Sequence, residues 1–324
     1  MTAESTSGGG TTESRPVEPA TFYVVGTPIG NLGDLSFRAA ATLAAVDAVV
    51  CEDTRRTGGL LAHVRTNLAS TFAPDSGSEV QGRRPDLLVA NEHTEYSRIP
   101  EVLDRLDRGE ALALVTDAGM PTVSDPGASV IAAVIEAGHR VVVVPGPTAV
   151  SSALALAGLP TERFVFEGFL PRKGADRRDR LTALADEPRT VVVYEAPHRL
   201  LRTLRDLAAA CGQDRRVSVA RELTKLYEEV DRTTLAEAAR RFAAEQPRGE
   251  FVLVLDGAPA PSGVVSETEL TEMIDRHLAA GHTTRDAVSA VVAATGQPKR
   301  RIYDLAVISA RALAGRGHAG GGDR

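Results

Sequence analysis

The stretch VVVVPGPTAVSSALALAGLPT (141–161) decides the fold. It carries no charge over a length that could cross a bilayer. Pro145, Gly146 and Pro147 interrupt it, and proline inside a helix removes an amide donor and clashes with the preceding turn. The stretch therefore reads as a buried strand ending at Val144, a sharp turn, and a helix over Thr148–Ala157. The same alternation continues on both sides. Upstream, strands are expected at Phe22–Val25, Ala48–Cys51, Leu87–Ala90 and Ala111–Val115. Helices are expected at Phe37–Val46, capped by Ser36, at Ile99–Arg108, and in a segment ending near Gly138. Downstream, strands are expected at Phe164–Phe166, Thr190–Tyr194, Val217–Arg221 and Phe251–Asp256. Helices are expected at Asp176–Ala185, His198–Ala210 and Leu235–Ala244. Alternation of this kind predicts layered α/β structure. Residues 72–84 read as a long loop. Beyond a Pro/Gly linker at 257–263 come three helical stretches, Glu267–Ala280, Thr284–Ala294 and Pro298–Ala314. The last two are patterned like a helix-turn-helix.

At roughly 150 residues per domain, 324 residues suggest two domains and a small extra. The net charge is −6, which disfavours a small nucleic-acid coat protein or a polybasic membrane binder. The distribution is uneven. Residues 1–162 carry a net −9, residues 163–225 a net +5, residues 226–265 a net −3, and residues 266–324 a net +1. Two cysteines, Cys51 and Cys211, form no CxxC pair. That argues against a disulfide framework or a zinc motif and suits a reducing cytoplasm. The first twenty residues lack the cationic start and apolar core of a signal peptide and read as a disordered tail. No membrane association is expected.

Four Gly/Pro/Asp-rich clusters follow expected strands: Gly26–Asn31, Glu52–Arg55, Thr116–Gly127 and Pro145–Ala149. Ligands of open α/β sheets bind at the carboxyl ends of strands, so four clusters together predict a shared cleft. A tight turn is the alternative at each glycine. The spacing Gly26-x3-Gly30-x2-Gly33 is neither GxGxxG nor GxxxxGK[ST]. There is no HExxH, no metal-spaced histidine pair and no GxSxG, so no metal site is expected.

The motifs GTPIGNLGDLSFRA (26–39), EDTR (52–55), DAGMPTVSDPG (117–127) and PGPTA (145–149) resemble the tetrapyrrole-methylase superfamily of S-adenosylmethionine-dependent methyltransferases. Further on, GFLPRK (168–173), YEAPHRL (194–200) and RELTK (221–225) resemble one branch of it, which methylates the ribose 2′-oxygen of cytidine 1402 in 16S rRNA. The resemblance runs in order from about Phe22 to Asp256. It implies a two-domain α/β fold with the cofactor cleft between domains, plus a small C-terminal helical module, helix-turn-helix-like. The implied boundaries are a tail at 1–20, domains at 21–146 and 147–258, the helical module at 264–315, and a flexible tail at 316–324. It also implies S-adenosyl-L-methionine as cofactor, 16S rRNA in the 30S subunit as partner, and a homodimer.

By that resemblance, Pro28, Asp117, Gly119, Met120, Thr148, Ala149 and Leu223 line the cofactor site. For Asp117 a turn cap is the alternative. A ribose hydroxyl is a poor nucleophile until its proton is removed or stabilised elsewhere. Glu52, Asp53, Glu222 and Lys225 are candidates for that role, with Glu195 and His198 beside them. Ion pairs with Arg55 or Arg221 are the alternative for Glu52 and Glu222. Arg172, Lys173, Arg177, Arg178 and Arg199 are candidates for RNA phosphate contact, extended by Arg180 and Arg202. The alternative is a solvated helix face, because Asp176 and Asp179 interleave. Lys299, Arg300 and Arg301 add a cationic helix start that suits RNA, a dimer contact or packing. Two other functions fit parts of the chain. One is methylation of a corrin or porphyrin. The other is a non-catalytic nucleic-acid-binding regulator using the terminal helices.

Overall fold

The computed structural model describes residues 17–68, 84–259 and 265–318, with side chains as far as residue 310. Residues 1–16 of the expected tail, most of the expected 72–84 loop, part of the 257–263 linker and residues 319–324 lie outside the described residues. The chain divides into two compact units, 1–256 and 257–324.

The first unit holds two five-stranded sheets. In the first sheet, β1 (Thr21–Val25), β2 (Ala48–Cys51), β3 (Asp86–Val89), β4 (Leu112–Leu114) and β5 (Arg140–Val144) run in the order β3-β2-β4-β1-β5. All its pairings are parallel. Alternate residues face opposite layers, as the two-residue period of a strand demands. Tyr23, Val25, Val49 and Cys51 pack under α1 (Phe37–Ala45) and α2 (Thr54–His63). Phe22, Val24, Ala48 and Val50 pack under α3 (Glu95–Asp107) and α4 (Ala128–Glu136). Ser36 caps α1 as expected, accepting from the Ala39 amide at 3.1 Å. The chain leaves β1 and β4, which are neighbours, in opposite directions. Their carboxyl-end loops therefore flank a crevice.

The second sheet contains β6 (Phe164–Phe169), β7 (Thr190–Glu195), β8 (Arg216–Arg221), β9 (Glu229–Thr234) and β10 (Phe251–Leu255), in the order β6-β7-β10-β8-β9. Only β6 and β7 are parallel. One face packs on α6 (Ala175–Asp186), α7 (Pro197–Cys211) and α8 (Leu235–Ala244). The other packs on α5 (Ala149–Ala157), the helix that follows β5. Ile29, from the loop after β1, joins that second core.

Three differences from expectation have physical causes. The valine run of β5 is an edge strand, with Val144 buried but Val143 55% exposed. Helix α2 has no strong sequence signal, because Gly58 and Gly59 each weaken a helix by about 1 kcal/mol relative to alanine. Strand β9 has the polar sequence EVDRTT, and its position at the sheet edge explains why no apolar run marks it.

The second unit contains α9 (Glu267–Ala279), α10 (Thr284–Thr295) and α11 (Lys299–His318). Leu270, Ile274, Val288, Val291 and Ile302 form its core. Helix α11 runs four residues past the expected end, since Gly315 weakens the helix without stopping it. Among the described residues no helix is long and apolar enough to cross a membrane.

Candidate functional site

The loops after β1, β4 and β5 meet through their backbones. The Gly26 amide donates to the Val144 carbonyl at 2.9 Å. Thr27 and Gly119 exchange two amide–carbonyl bonds of 2.9 and 3.1 Å. A Cβ on Gly26 would stand 2.6 Å from the Gly146 nitrogen, so only glycine admits this approach. Within the 117–127 loop, Thr122 and Ser124 take φ values of +72° and +68°. Side-chain-bearing residues avoid that region, and such strain concentrates at functional sites.

Beside these loops lies a cavity of about 300 Å³. Ile29, Gly119, Met120 and Val123 form one wall, and Thr148 and Ala149 enter from the start of α5. Tyr194, Leu223 and Val252 close it from the second sheet. Thr148 is also the N-cap of α5, accepting from the Ser151 amide at 3.3 Å. Leu223 sits between Glu222 and Thr224, whose φ values are +51° and +65°. Those two turns push the Leu223 side chain toward the cavity. The expected lining residues Gly119, Met120, Thr148, Ala149 and Leu223 thus come together. Pro28 and Asp117 do not join them. They line a neighbouring crevice with Arg56, whose guanidinium lies 3.4 Å from the Asp117 carboxylate.

Asp125 is an acidic group that the motifs do not single out. It lines the cavity, and burial, reinforced by the Asp117 charge, pushes its carboxyl up to about 6. Glu52 lies within reach of its charge. Burial, then the charges of Asp125 and Asp117, lift Glu52 to about 7. Tyr194, also on the wall, is pushed up to about 12 by burial and by Asp125. The one local signal for Asp125 is the DPG step ahead of α4, and nothing in the sequence marks its burial.

The other candidate proton carriers have structural partners. Asp53 is the N-cap of α2 and binds the Arg55 amide and guanidinium, which hold its carboxyl near 2. Lys225 Nζ lies 2.9 Å from both Glu222 and Glu250. Burial works to raise the Glu222 carboxyl, but Lys225 and the Glu250 amide outweigh it and leave it below its usual range. Glu195 is buried and accepts from the Ala196 amide and the Thr203 hydroxyl, with Arg199 3.1 Å away. His198 is exposed at the start of α7.

The expected phosphate contacts divide in the same way. Arg172, Lys173, Arg178 and Arg180 are exposed, though Arg180 pairs with Glu167 at 3.1 Å. Arg177 is 4% exposed, donating to Asp206, to the Pro171 carbonyl and to Thr203. Arg199 donates to the Leu170 carbonyl. Both guanidiniums thus support the 170–174 loop through its carbonyls.

A bound S-adenosylmethionine would need close backbone approach, an apolar wall and a counter-charge for its sulfonium. The cavity offers the Gly119 turn, with φ +89°, the apolar side chains of Ile29, Met120, Val123 and Leu223, and Asp125. These residues fit that group.

Comparison with known proteins agrees with this architecture. The family Tetrapyrrole (Corrin/Porphyrin) Methylases matches residues 21–239. Ribosomal RNA small subunit methyltransferase I of Synechocystis sp. is 42% identical over 287 residues, 88% of this chain and 97% of that protein. The protein of the same name from Pseudomonas aeruginosa is 40% identical over 290 residues, covering 89% and 96%. Among solved structures, cobalt precorrin-4 methyltransferase, a cobalamin biosynthetic enzyme, shares the fold with a TM-score of 0.53 at 19% identity, over 72% of this chain and 94% of that one. On the length and identity of these matches, the chain belongs to the tetrapyrrole methylases and, within them, to the ribosomal RNA small subunit methyltransferase I family.

Proposed function

We propose that this chain transfers a methyl group from S-adenosyl-L-methionine to the ribose 2′-oxygen of cytidine 1402 in the 16S rRNA of the 30S subunit. The observation that carries the proposal is a cavity lined by the half-buried carboxyl of Asp125, with exposed Arg172 and Lys173 on the loop that follows a cavity-lining residue. The cofactor supplies an electrophilic methyl on a positively charged sulfur. Gly119, Met120, Thr148, Ala149 and Leu223 would hold it, and Asp125 would supply the counter-charge. When bound, the cofactor would supply the methyl for the ribose oxygen and would keep the electron pair of the broken carbon–sulfur bond. The hydroxyl proton passes to the Asp125 carboxylate, whose raised affinity for a proton suits that task. Holding both reactants near attack distance supplies much of the acceleration.

The chain acts in the cytoplasm as a homodimer in this proposal. Packing of α5 on the second sheet supports a domain boundary between 146 and 147.

The test uses radiolabelled S-adenosylmethionine with 30S subunits lacking the modification, and separately with protein-free tetrapyrroles. Label at the ribose of cytidine 1402 is the expected outcome. Label confined to the macrocycle overturns the proposal.

A further inference from the structure

Phe169 closes β6, the edge strand of the second sheet. A bulge between Phe166 and Gly168 shifts the register against β7, and Gly168 takes φ +63°. Bulges re-aim the side chains that follow them. Here the Phe169 ring lines the cavity while remaining 51% exposed. It meets Tyr194 edge-to-face with centroids 5.7 Å apart, and Tyr194 meets Phe166 in the same way at 4.9 Å. The chain beyond the ring is fixed as well. The Leu170 carbonyl accepts from Arg199, and the Pro171 carbonyl accepts from Arg177 at 2.9 Å. Arg172 and Lys173 then follow, both exposed.

A large exposed aromatic ring is normally disfavoured by hydration. This one is held at a cavity mouth by a bulge, two supporting rings and two anchored carbonyls, with two cations three and four residues further on. Flat π-surface next to positive charge is the pattern that receives single-stranded nucleic acid, with the base on the ring and its phosphate on the cations. We propose that Phe169 is a stacking platform for a nucleobase of single-stranded RNA, with Arg172 and Lys173 on the adjoining phosphates. The platform rests on the RNA-methylation reading above. The other source of a stacking base is the adenine of the cofactor, and the test separates the two.

The experiment uses the full chain with S-adenosylhomocysteine present and a fluorescent single-stranded RNA oligonucleotide copying the segment around the proposed target. Wild type, Phe169→Ala and Phe169→Trp are compared by anisotropy, with cofactor affinity measured by calorimetry. Phe169→Ala is expected to weaken RNA binding about 10-fold, as removal of one stacked base does. Phe169→Trp is expected to keep wild-type RNA affinity, and cofactor affinity is expected to stay within about twofold in both. The proposal is overturned if Phe169→Ala binds RNA like wild type, if wild type binds no RNA, or if cofactor affinity falls by the same factor. The subunit-labelling assay distinguishes the two readings. Wild type that binds RNA through Phe169 but labels no rRNA sinks the methylation reading alone. Wild type that labels rRNA, with Phe169→Ala unchanged in RNA affinity, sinks the platform alone.

Discussion

Arg177 Nε lies 2.8 Å from Asp206 Oδ2, joining the first turn of α6 to the middle of α7 beneath the 170–174 loop. The pair separates two kinds of arginine in one cationic segment. Removing Arg177 leaves Thr203 and the Pro171 carbonyl without their donor. Arg177→Ala is therefore expected to lower unfolding stability by roughly 2–3 kcal/mol in urea titration. The double change Arg172→Ala, Lys173→Ala is expected to leave stability within about 0.5 kcal/mol. It should weaken RNA binding and flatten its salt dependence, by a slope of roughly one for each phosphate no longer neutralised.

Asp125 sets the expected pH profile. A carboxylate that accepts a proton works only when ionised, so kcat/KM should rise with pH to a bend near 6 and then level. Asp125→Asn should lower kcat by about 100-fold or more and abolish the bend. A bend that survives in Asp125→Asn would assign the titration to another group.

Glu52 makes an opposite statement about stability. Its folded value, about 7, lies above that of the unfolded chain, so the native state holds more protons between pH 4.5 and 7. Its contribution is present below the unfolded value and is lost as pH rises through the folded one. Glu52→Gln should therefore raise Tm at pH 8 and change it little at pH 4.5, read by calorimetry without cofactor.

The ion pairs of Lys225 with Glu222 and Glu250 hold the turn that carries Leu223. Lys225→Met should raise the cofactor Kd several-fold while leaving the bend of the pH profile in place. A shifted bend with unchanged Kd would return Lys225 to proton transfer.

Gly26 and Gly146 approach too closely for any side chain. Gly26→Ala should lower the unfolding free energy by about 1–3 kcal/mol, as overpacking does, and weaken cofactor binding in the same preparation.

The alternation of apolar runs makes both α/β series legible, because a strand that packs on helices must be apolar along its length. Glycine and proline clusters mark the loops for a related reason, since close backbone approach excludes side chains. Pairing across distance stays hidden. Nothing local to Arg177 announces Asp206, 29 residues on, and nothing local to Asp53 sets it apart from Glu52. One is a cap in water and the other a carboxyl lifted by burial. Asp125 and Phe169 stand inside DAGMPTVSDPG and GFLPRK, yet their importance lies in burial and in a bulge, neither of which has a one-letter code.

The position of β10 carries a consequence for biosynthesis. The first sheet is complete once Val144 has been made, whereas the second keeps its centre open until Phe251–Leu255 arrives between β7 and β8. Synthesis from the N-terminus therefore leaves the edges of β7 and β8 without a pairing partner until the final segment of the unit is made. A nascent chain stalled before residue 251 would expose that open seam to pairing with other chains.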